Sequence, residues 1–380
     1  MLIVCCCWLA ACRHDDKPSD TEVKEAYITD SMYVAKDSMK VYNFVYPSTD
    51  PYGKEVMLSG TITMGHRVES DKTAKGLLLY NHFTVYRADQ CPSMGDLQVQ
   101  AMLAPEPLII VSPDYYGFGA TVSEHQAYCI SSINAQGALD ALLAAKKLLA
   151  AMGYDYNGRL FNAGYSQGGQ TAIGVMRLVA EKYPDIHFTC TFAGAGSYDI
   201  PATYRHYMQD SVAEKPSHAI SVLLAYNEFS QINAPLDELF IEPVLSHIDD
   251  WFFSKRYKRE DLDEMLVSVN VSDFFTPAII DLQSDLAQRF LNAMEADNLC
   301  NGWTPRRDEP VVLFHNTQDA TVPPVNTENL YRFLIGQGAS KVTLDVDDYG
   351  NTAALPAHQM GALYFIQHSL ERMREMMAAE

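Results

Sequence analysis

The chain has 380 residues and is 48% hydrophobic, enough to bury a full core in one large α/β domain or two smaller ones, so disorder is excluded as its default state. Its formal net charge of -20 would repel phosphates over long range, which sets nucleic acid and anionic lipid surfaces aside as partners. No internal repeat, low-complexity tract or apolar run near the ~20 residues of a membrane-crossing helix occurs in it.

The N-terminal stretch stands apart from the rest. "MLIVCCCWLAAC" is uncharged and apolar and ends Leu9-Ala10-Ala11-Cys12, the pattern of a bacterial lipobox, in which the cysteine becomes the lipidated first residue of the mature chain. Residues 1–11 are therefore expected to be a removed signal peptide and Cys12 the lipidation site. The charged, Pro-containing segment that follows, 12–26, reads as a tether. This predicts a lipid-anchored protein of the bacterial cell envelope, at the outer membrane and open to surface exposure, touching the membrane only through its anchor. The alternative is an ordinary start, since no basic residue precedes the apolar run.

From Tyr27 the pattern is strand-rich. "KVYNFVYPSTDPYGKEVMLSGTITM" gives two β-runs joined by a Pro/Asp/Gly turn, and "KGLLLYNHFT" and "EPLIIVSPDYYGFGA" give two short apolar runs ending in polar and glycine positions. "INAQGALDALLAAKKLLAAMG" is a helix with an Ala/Leu face closed by Gly153. A short run "RLFNAGYS", a helix "GGQTAIGVMRLVAEKY" and an apolar "FTCTFAGAG" follow. This alternation predicts an α/β fold with a mostly parallel central sheet and helices on both faces, and places ligand sites beyond the carboxyl ends of the strands.

Within it, Gly164-Tyr165-Ser166-Gln167-Gly168 fits G-x-S-x-G between a strand and a helix, the context of a nucleophile elbow. Such a turn lifts the serine hydroxyl clear of the backbone, and flanking side chains would clash there. The amide of Gln167, directly after the serine, is placed to donate to an oxyanion. A second donor is expected from the loop "YNHFTVYRADQCPS", through the amide of His82 or Phe83. In "PDYYGFG", Asp114 and the tyrosines are expected to brace a tight turn near the site.

After "FAGAGSYDIP" the strand rhythm stops. Helix-like segments such as "SHAISVLLAYNEFSQI" and "FTPAIIDLQSDLAQRFLNAM" fill 201–305 as a helical cap insertion, leaving 27–200 and 306–380 as the core. Trp251, Phe252, Phe253, Phe274 and Phe275 are expected mainly to bury this insertion, with a minority lining a pocket.

A serine needs a base and an orienting acid. "EPVVLFHNTQDATVPP" is an apolar run whose following turn carries Asp319. "KVTLDVDDYGNTAALPAHQMGALYFIQHSLERM" gives a strand, a loop and His358 at the start of a helix. Asp345, Asp347 and Asp348 are alternatives for the acid. His187, His315 and His368, in or beside regular elements, read as structural.

"GYSQGG", "YNHFT", "SPDYYGFG", "GAGSYDIPATY" and "HNTQDATVPP", with the late "AHQMGAL", resemble the secretory-lipase branch of the α/β-hydrolases from about Tyr42 to the C-terminus. That resemblance implies an α/β-hydrolase fold, a catalytic triad of Ser166, Asp319 and His358, and a helical cap between the sixth and seventh core strands. One departure stands out: His82-Phe83 replaces the His-Gly common in the oxyanion loop, and the bulkier Phe83 is expected to narrow it.

The expected chemistry is hydrolysis of a small-molecule carboxylic ester through an acyl-enzyme, with no cofactor and no metal. A serine peptidase or aminopeptidase of the same fold, a cutinase, and a non-catalytic surface ligand-binding lipoprotein are the rivals. The complete set of three residues argues against the last. Acyl length, alcohol half and oligomeric state are not encoded in these motifs. Beyond the leader, Cys91, Cys129, Cys190 and Cys300 follow no metal-ligand spacing, and an envelope location would permit disulfides. A Cys91–Cys300 bridge pinning cap to core is the favoured pairing, with Cys91–Cys129 as its competitor.

Overall fold

The computed structural model describes residues 25–34, 38–350 and 355–379. The leader, Cys12 and the tether up to residue 24 lie outside the described residues. Among the described residues nine strands form one sheet in the order β1-β2-β3-β5-β4-β6-β7-β8-β9. An antiparallel flank of β1 (Tyr27–Val34), β2 (Met39–Thr49) and β3 (Glu55–Gly65) joins β5 (Leu108–Pro113) antiparallel. From there β5, β4 (Gly76–Asn81), β6 (Leu160–Tyr165), β7 (Cys190–Gly194), β8 (Val311–Asn316) and β9 (Val342–Asp347) run parallel.

The short apolar runs become the centre of this sheet because they tolerate burial on both faces. Every residue of β4, β5, β6, β7 and β8 is buried. Alternation then divides them. Leu77 and Leu79 point into a core shared with Leu139 and Leu142 of the helix Ser131–Ala151, whereas Leu78 and Tyr80 point into one shared with Phe365 and Met373 of the helix Ala357–Ala378. The edge strand β9 is only partly buried and carries Asp345 and Asp347, charges that discourage pairing with another chain.

Helices fill the chain between β7 and β8, among them Ile200–Asp210, Pro216–Phe229, Arg259–Leu266 and Asp285–Ala296. The resemblance counted this position as between the sixth and seventh core strands, and the count moves up by one because β1 is an additional edge strand. Phe274 and Phe275 are almost completely buried, and Trp251 and Phe252 are buried as well. Phe253 stacks on His125 with ring centroids 3.7 Å apart, so it serves the seam with the parallel-sheet body.

Polar ties cross the same seam. The Asp297 carboxylate accepts the amides of Ser131 (2.5 Å) and Ser132 (3.0 Å), satisfying orphan N–H groups of the helix they begin. Lys255 Nζ donates to the carbonyls of Val122 (2.7 Å) and Glu124, and burial pulls its ammonium pKa down to about 8. The expected Cys91–Cys300 bridge is absent, and so is Cys91–Cys129: the four cysteines among the described residues are free. Cys91 is turned inward against Val85 and Phe118, while Cys300 packs on the separate cluster that contains Trp303. The loop bearing Cys91 folds into two short 3-10 turns, Ala88–Gln90 and Pro92–Met94, which bury the thiol.

Among the described residues no helix is long and apolar enough to cross a membrane.

Candidate active site

The serine sits at the tip of β6, where the chain turns directly into the helix Gln167–Lys182. Its backbone lies at φ 59° and ψ −123°, a conformation that non-glycine residues rarely adopt and that costs of order 1–3 kcal/mol. The two glycines of the motif make that turn possible. A Cβ on Gly164 would come 2.1 Å from the Gly168 carbonyl oxygen, and one on Gly168 would come 2.1 Å from that of Asn81. Beneath the turn, Asn81 Nδ2 donates to Asn162 Oδ1 (2.9 Å) and Asn162 Nδ2 donates to the Ala172 carbonyl (2.8 Å), tying β4, β6 and the helix together.

Three distant segments meet at Ser166. His358, the second residue of its helix, places Nε2 3.0 Å from Ser166 Oγ. Its Nδ1 lies 2.6 Å from Asp319 Oδ2. The other carboxylate oxygen, Oδ1, accepts the amides of Thr321 and Val322, each at 2.9 Å. Burial alone would push the Asp319 pKa up, but the charge and hydrogen bond of His358, with His315 and the Val322 amide, outweigh it and hold the carboxyl below its usual value. Of the candidate acids it is Asp319 that reaches the histidine.

The loop after β4 lies beside the helix start, for the His82 carbonyl oxygen would be 2.8 Å from a Cβ on Gly168. Among the described residues the N–H groups of Phe83 and Gln167 are without a protein acceptor. His82 itself is held rigidly. Burial lowers its pKa, and its two ring nitrogens lie against backbone carbonyl oxygens, Nδ1 2.7 Å from that of Phe83 and Nε2 3.3 Å from that of Asp114. Tyr115 donates to the His82 carbonyl (3.2 Å), with ring centroids 4.2 Å apart. Asp114 accepts from Ser59 Oγ (2.6 Å) and the Ser93 amide (2.9 Å), the bracing expected of it. The Phe83 side chain, expected to narrow this loop, lines the cleft and is 38% exposed.

A cleft of about 370 Å³ opens above Ser166 and His358. Phe83, Leu355 and Leu363 give it an apolar wall, and Lys215, His218 and Arg259 of the helical insertion line it from the other side. Sequence reasoning missed several of the residues that shape this site. Tyr165, the variable position of the motif, donates its hydroxyl to the His358 carbonyl (2.8 Å). Tyr207, in the first insertion helix, donates to the Thr321 carbonyl, and Thr321 Oγ1 donates to Glu214. His218 stacks near Tyr86 and is kept neutral by burial. No motif or periodic pattern assigns any of them the contact it makes.

The fold is shared with proteins of known structure. The rice cell wall degrading esterase LipA of Xanthomonas oryzae superposes with a TM-score of 0.79 at 20% identity, over 93% of this chain and 98% of that one. Its ligand-bound form gives 0.77 at 20% identity, over 90% and 95%. Candida antarctica lipase A in its closed state gives 0.65 at 14% identity, over 90% and 82%. These likenesses establish the α/β-hydrolase fold. No curated protein sequence matches the chain. The family model described as secretory lipase matches residues 93–375, from the loop after β4 to the C-terminal helix. With that span matched, and the ester-hydrolase activity it carries, the chain belongs to the secretory lipase family.

Proposed function

We propose that the protein is a serine carboxylic-ester hydrolase working through an acyl-enzyme. The observation that carries this reading is the continuous relay from Ser166 Oγ through His358 to Asp319, with contacts of 3.0 and 2.6 Å. His358 Nε2 takes the Ser166 proton as Oγ attacks the ester carbonyl, and the Nδ1–H stays on the Asp319 carboxylate, which orients the ring and stabilises the imidazolium. The carbonyl oxygen gains charge in front of the Gln167 and Phe83 amides, at the positive end of the helix that Gln167 begins. His358 then protonates the leaving alcohol. In the second half it activates water, which releases the acid and restores Ser166.

The cleft supports a small ester with an apolar part against Phe83, Leu355 and Leu363 and a more polar part facing the insertion. On this reading 201–305 is a cap that completes the substrate site. The test is a panel of p-nitrophenyl, triglyceride, acetyl-sugar and feruloyl esters run beside Ser166→Ala, the last two classes because the similar LipA is a cell wall degrading esterase. Ser166→Ala is expected to lower kcat by at least ~10³ with an unchanged circular dichroism spectrum. Near-parent turnover on every ester the parent cleaves would refute the assignment.

Lipidation at Cys12, with an envelope location, is a separate proposal resting on the lipobox alone. The native protein should partition with membranes and Cys12→Ala should not.

A further inference from the structure

His315, the fifth residue of β8, is 1% exposed and lies four residues before Asp319. All its polar contacts are internal. Nε2 is 2.8 Å from the Val322 carbonyl oxygen, an acceptor only, so this nitrogen carries the proton. Nδ1 is 2.6 Å from Thr327 Oγ1. Burial lowers the pKa of the ring, against the pull of Asp319 and Val322, and in the neutral ring Nδ1 must accept, so the Thr327 hydroxyl donates to it. The two partners fix one tautomer.

The same Nε2 lies 3.6 Å from Asp319 Oδ2, the oxygen that faces His358. Val322 is thus held from both ends. Its N–H is on Asp319 Oδ1, and its carbonyl is on His315. The turn 319–322 has no regular secondary structure to hold it. Without the imidazole, the Val322 carbonyl would lose its donor in a buried place, and a peptide rotation that re-satisfied it would also remove an amide from Asp319.

We propose that His315 is a positioning residue for ester hydrolysis: its Nε2–H clamps the Val322 carbonyl, keeps the turn amides on Asp319 Oδ1, and leaves Oδ2 aimed at His358. It touches no substrate and acts only through Asp319. The inference rests on the serine-hydrolase reading above and deepens it.

The test reads nucleophile activation directly, as the rate at which a fluorophosphonate labels Ser166, together with kcat and KM on the best ester. His315→Leu removes both polar contacts and is expected to slow labelling and kcat by ~10- to 100-fold while KM stays within ~2-fold, because a displaced acid costs transition-state geometry and leaves the cleft alone. His315→Gln, whose amide supplies a donor near Nε2 and an acceptor, is expected to recover to within ~3-fold of the parent. Should the leucine variant fail to fold, Thr327→Val decides: it frees Nδ1 to take the proton, and labelling is expected to fall by ~3- to 10-fold with KM unmoved. Parent-like labelling in folded His315→Leu or in Thr327→Val, or a glutamine variant as slow as the leucine one, would overturn the proposal. Ser166→Ala separates the two readings. If it stays active the serine mechanism itself has failed, and if it is inactive while the His315 variants match the parent only the clamp has failed.

Discussion

The elbow at Ser166 and the turn at Asp319 stand at opposite ends of one hydrogen-bonded relay, yet they are held by different physics. At the elbow, backbone approaches backbone so closely that a single methyl group would fall 2.1 Å from a carbonyl oxygen at Gly164 or at Gly168. Hard-sphere exclusion fixes that conformation, and nearby sequence supplies it. At the turn, Asp319 is held by hydrogen bonds from the Thr321 and Val322 amides, with His315, Tyr207 and Glu214 gripping those residues from other elements. Sterics tolerate no substitution, whereas a polar network loses its members one at a time. The elbow should therefore fail as a whole and the turn by degrees.

The largest effect is expected at the elbow. Gly168→Ala would drive Cβ into the Asn81 and His82 carbonyl oxygens at 2.1 and 2.8 Å, both backbone atoms anchored at the end of a central strand. A loss of about 3 kcal/mol in stability together with esterase activity is expected, since neither strand nor helix can yield without unpacking its core. Urea denaturation checks it. A variant within ~0.5 kcal/mol of the parent would show that the elbow is looser than its contacts imply.

Next comes Asp319→Asn, which keeps the shape of the turn and removes the charge. We expect kcat to fall by ~10³ to 10⁴ while the fold survives, because the amide no longer enforces the tautomer and charge that His358 needs. The same variant sharpens the electrostatics. The folded pKa of Asp319 is depressed, so its carboxylate contributes stability that is present above the unfolded value of ~3.9 and is lost as pH falls through the lower folded value. Melting curves of parent and Asp319→Asn should therefore converge below about pH 4 relative to neutral pH. A gap that widens in acid would mean that the carboxyl is raised in the native protein.

The contrast also explains what could be read from the chain beforehand. Ser166, Gln167 and the strand and helix around them were legible because the elbow is a local object whose glycines are obligatory. Asp319 and His358 were legible through their order along the chain and their places after β8 and at a helix start. His315, Tyr207 and Glu214 were not, since each acts through a single polar atom on a residue remote from it in sequence or merely ordinary in its strand. Tyr207 lies 114 positions from the carbonyl it serves. The two β-runs that form β2 and β3 were foreseen with their turn, but β1 precedes them and shifts the count of those that follow. The cysteines misled because a loop of mixed composition reads as surface, whereas here it curls into 3-10 turns and buries Cys91.

A milder break in the turn comes from Tyr207→Phe. The hydroxyl donates to the Thr321 carbonyl from the insertion, while His315 holds the neighbouring residue from the sheet. Losing one of two grips should cost about 1 kcal/mol of stability and lower kcat by only ~3- to 10-fold. If the loss matched that of Asp319→Asn, the turn would be as brittle as the elbow and the contrast between them would collapse.

The smallest effect is expected from a reductant, because neither region depends on a covalent staple. A bridge closing the long loop from Cys91 to Cys300 would contribute about 4 to 5 kcal/mol in the chain-entropy model, and reducing it would lower the melting temperature by many degrees. The thiols lie in separate clusters instead. Burial pushes the Cys91 and Cys300 thiols well up and that of Cys129 up to about 12, so hardly any thiolate exists near neutral pH to attack a disulfide or an oxidant. The melting temperature should therefore agree within ~1 °C with and without dithiothreitol. Non-reducing peptide maps should return the peptides of Cys91, Cys129, Cys190 and Cys300 unlinked. The join between insertion and sheet rests instead on groups such as Asp297 on the amides of Ser131 and Ser132, a tie that a reductant leaves untouched and that Asp297→Ala would sever.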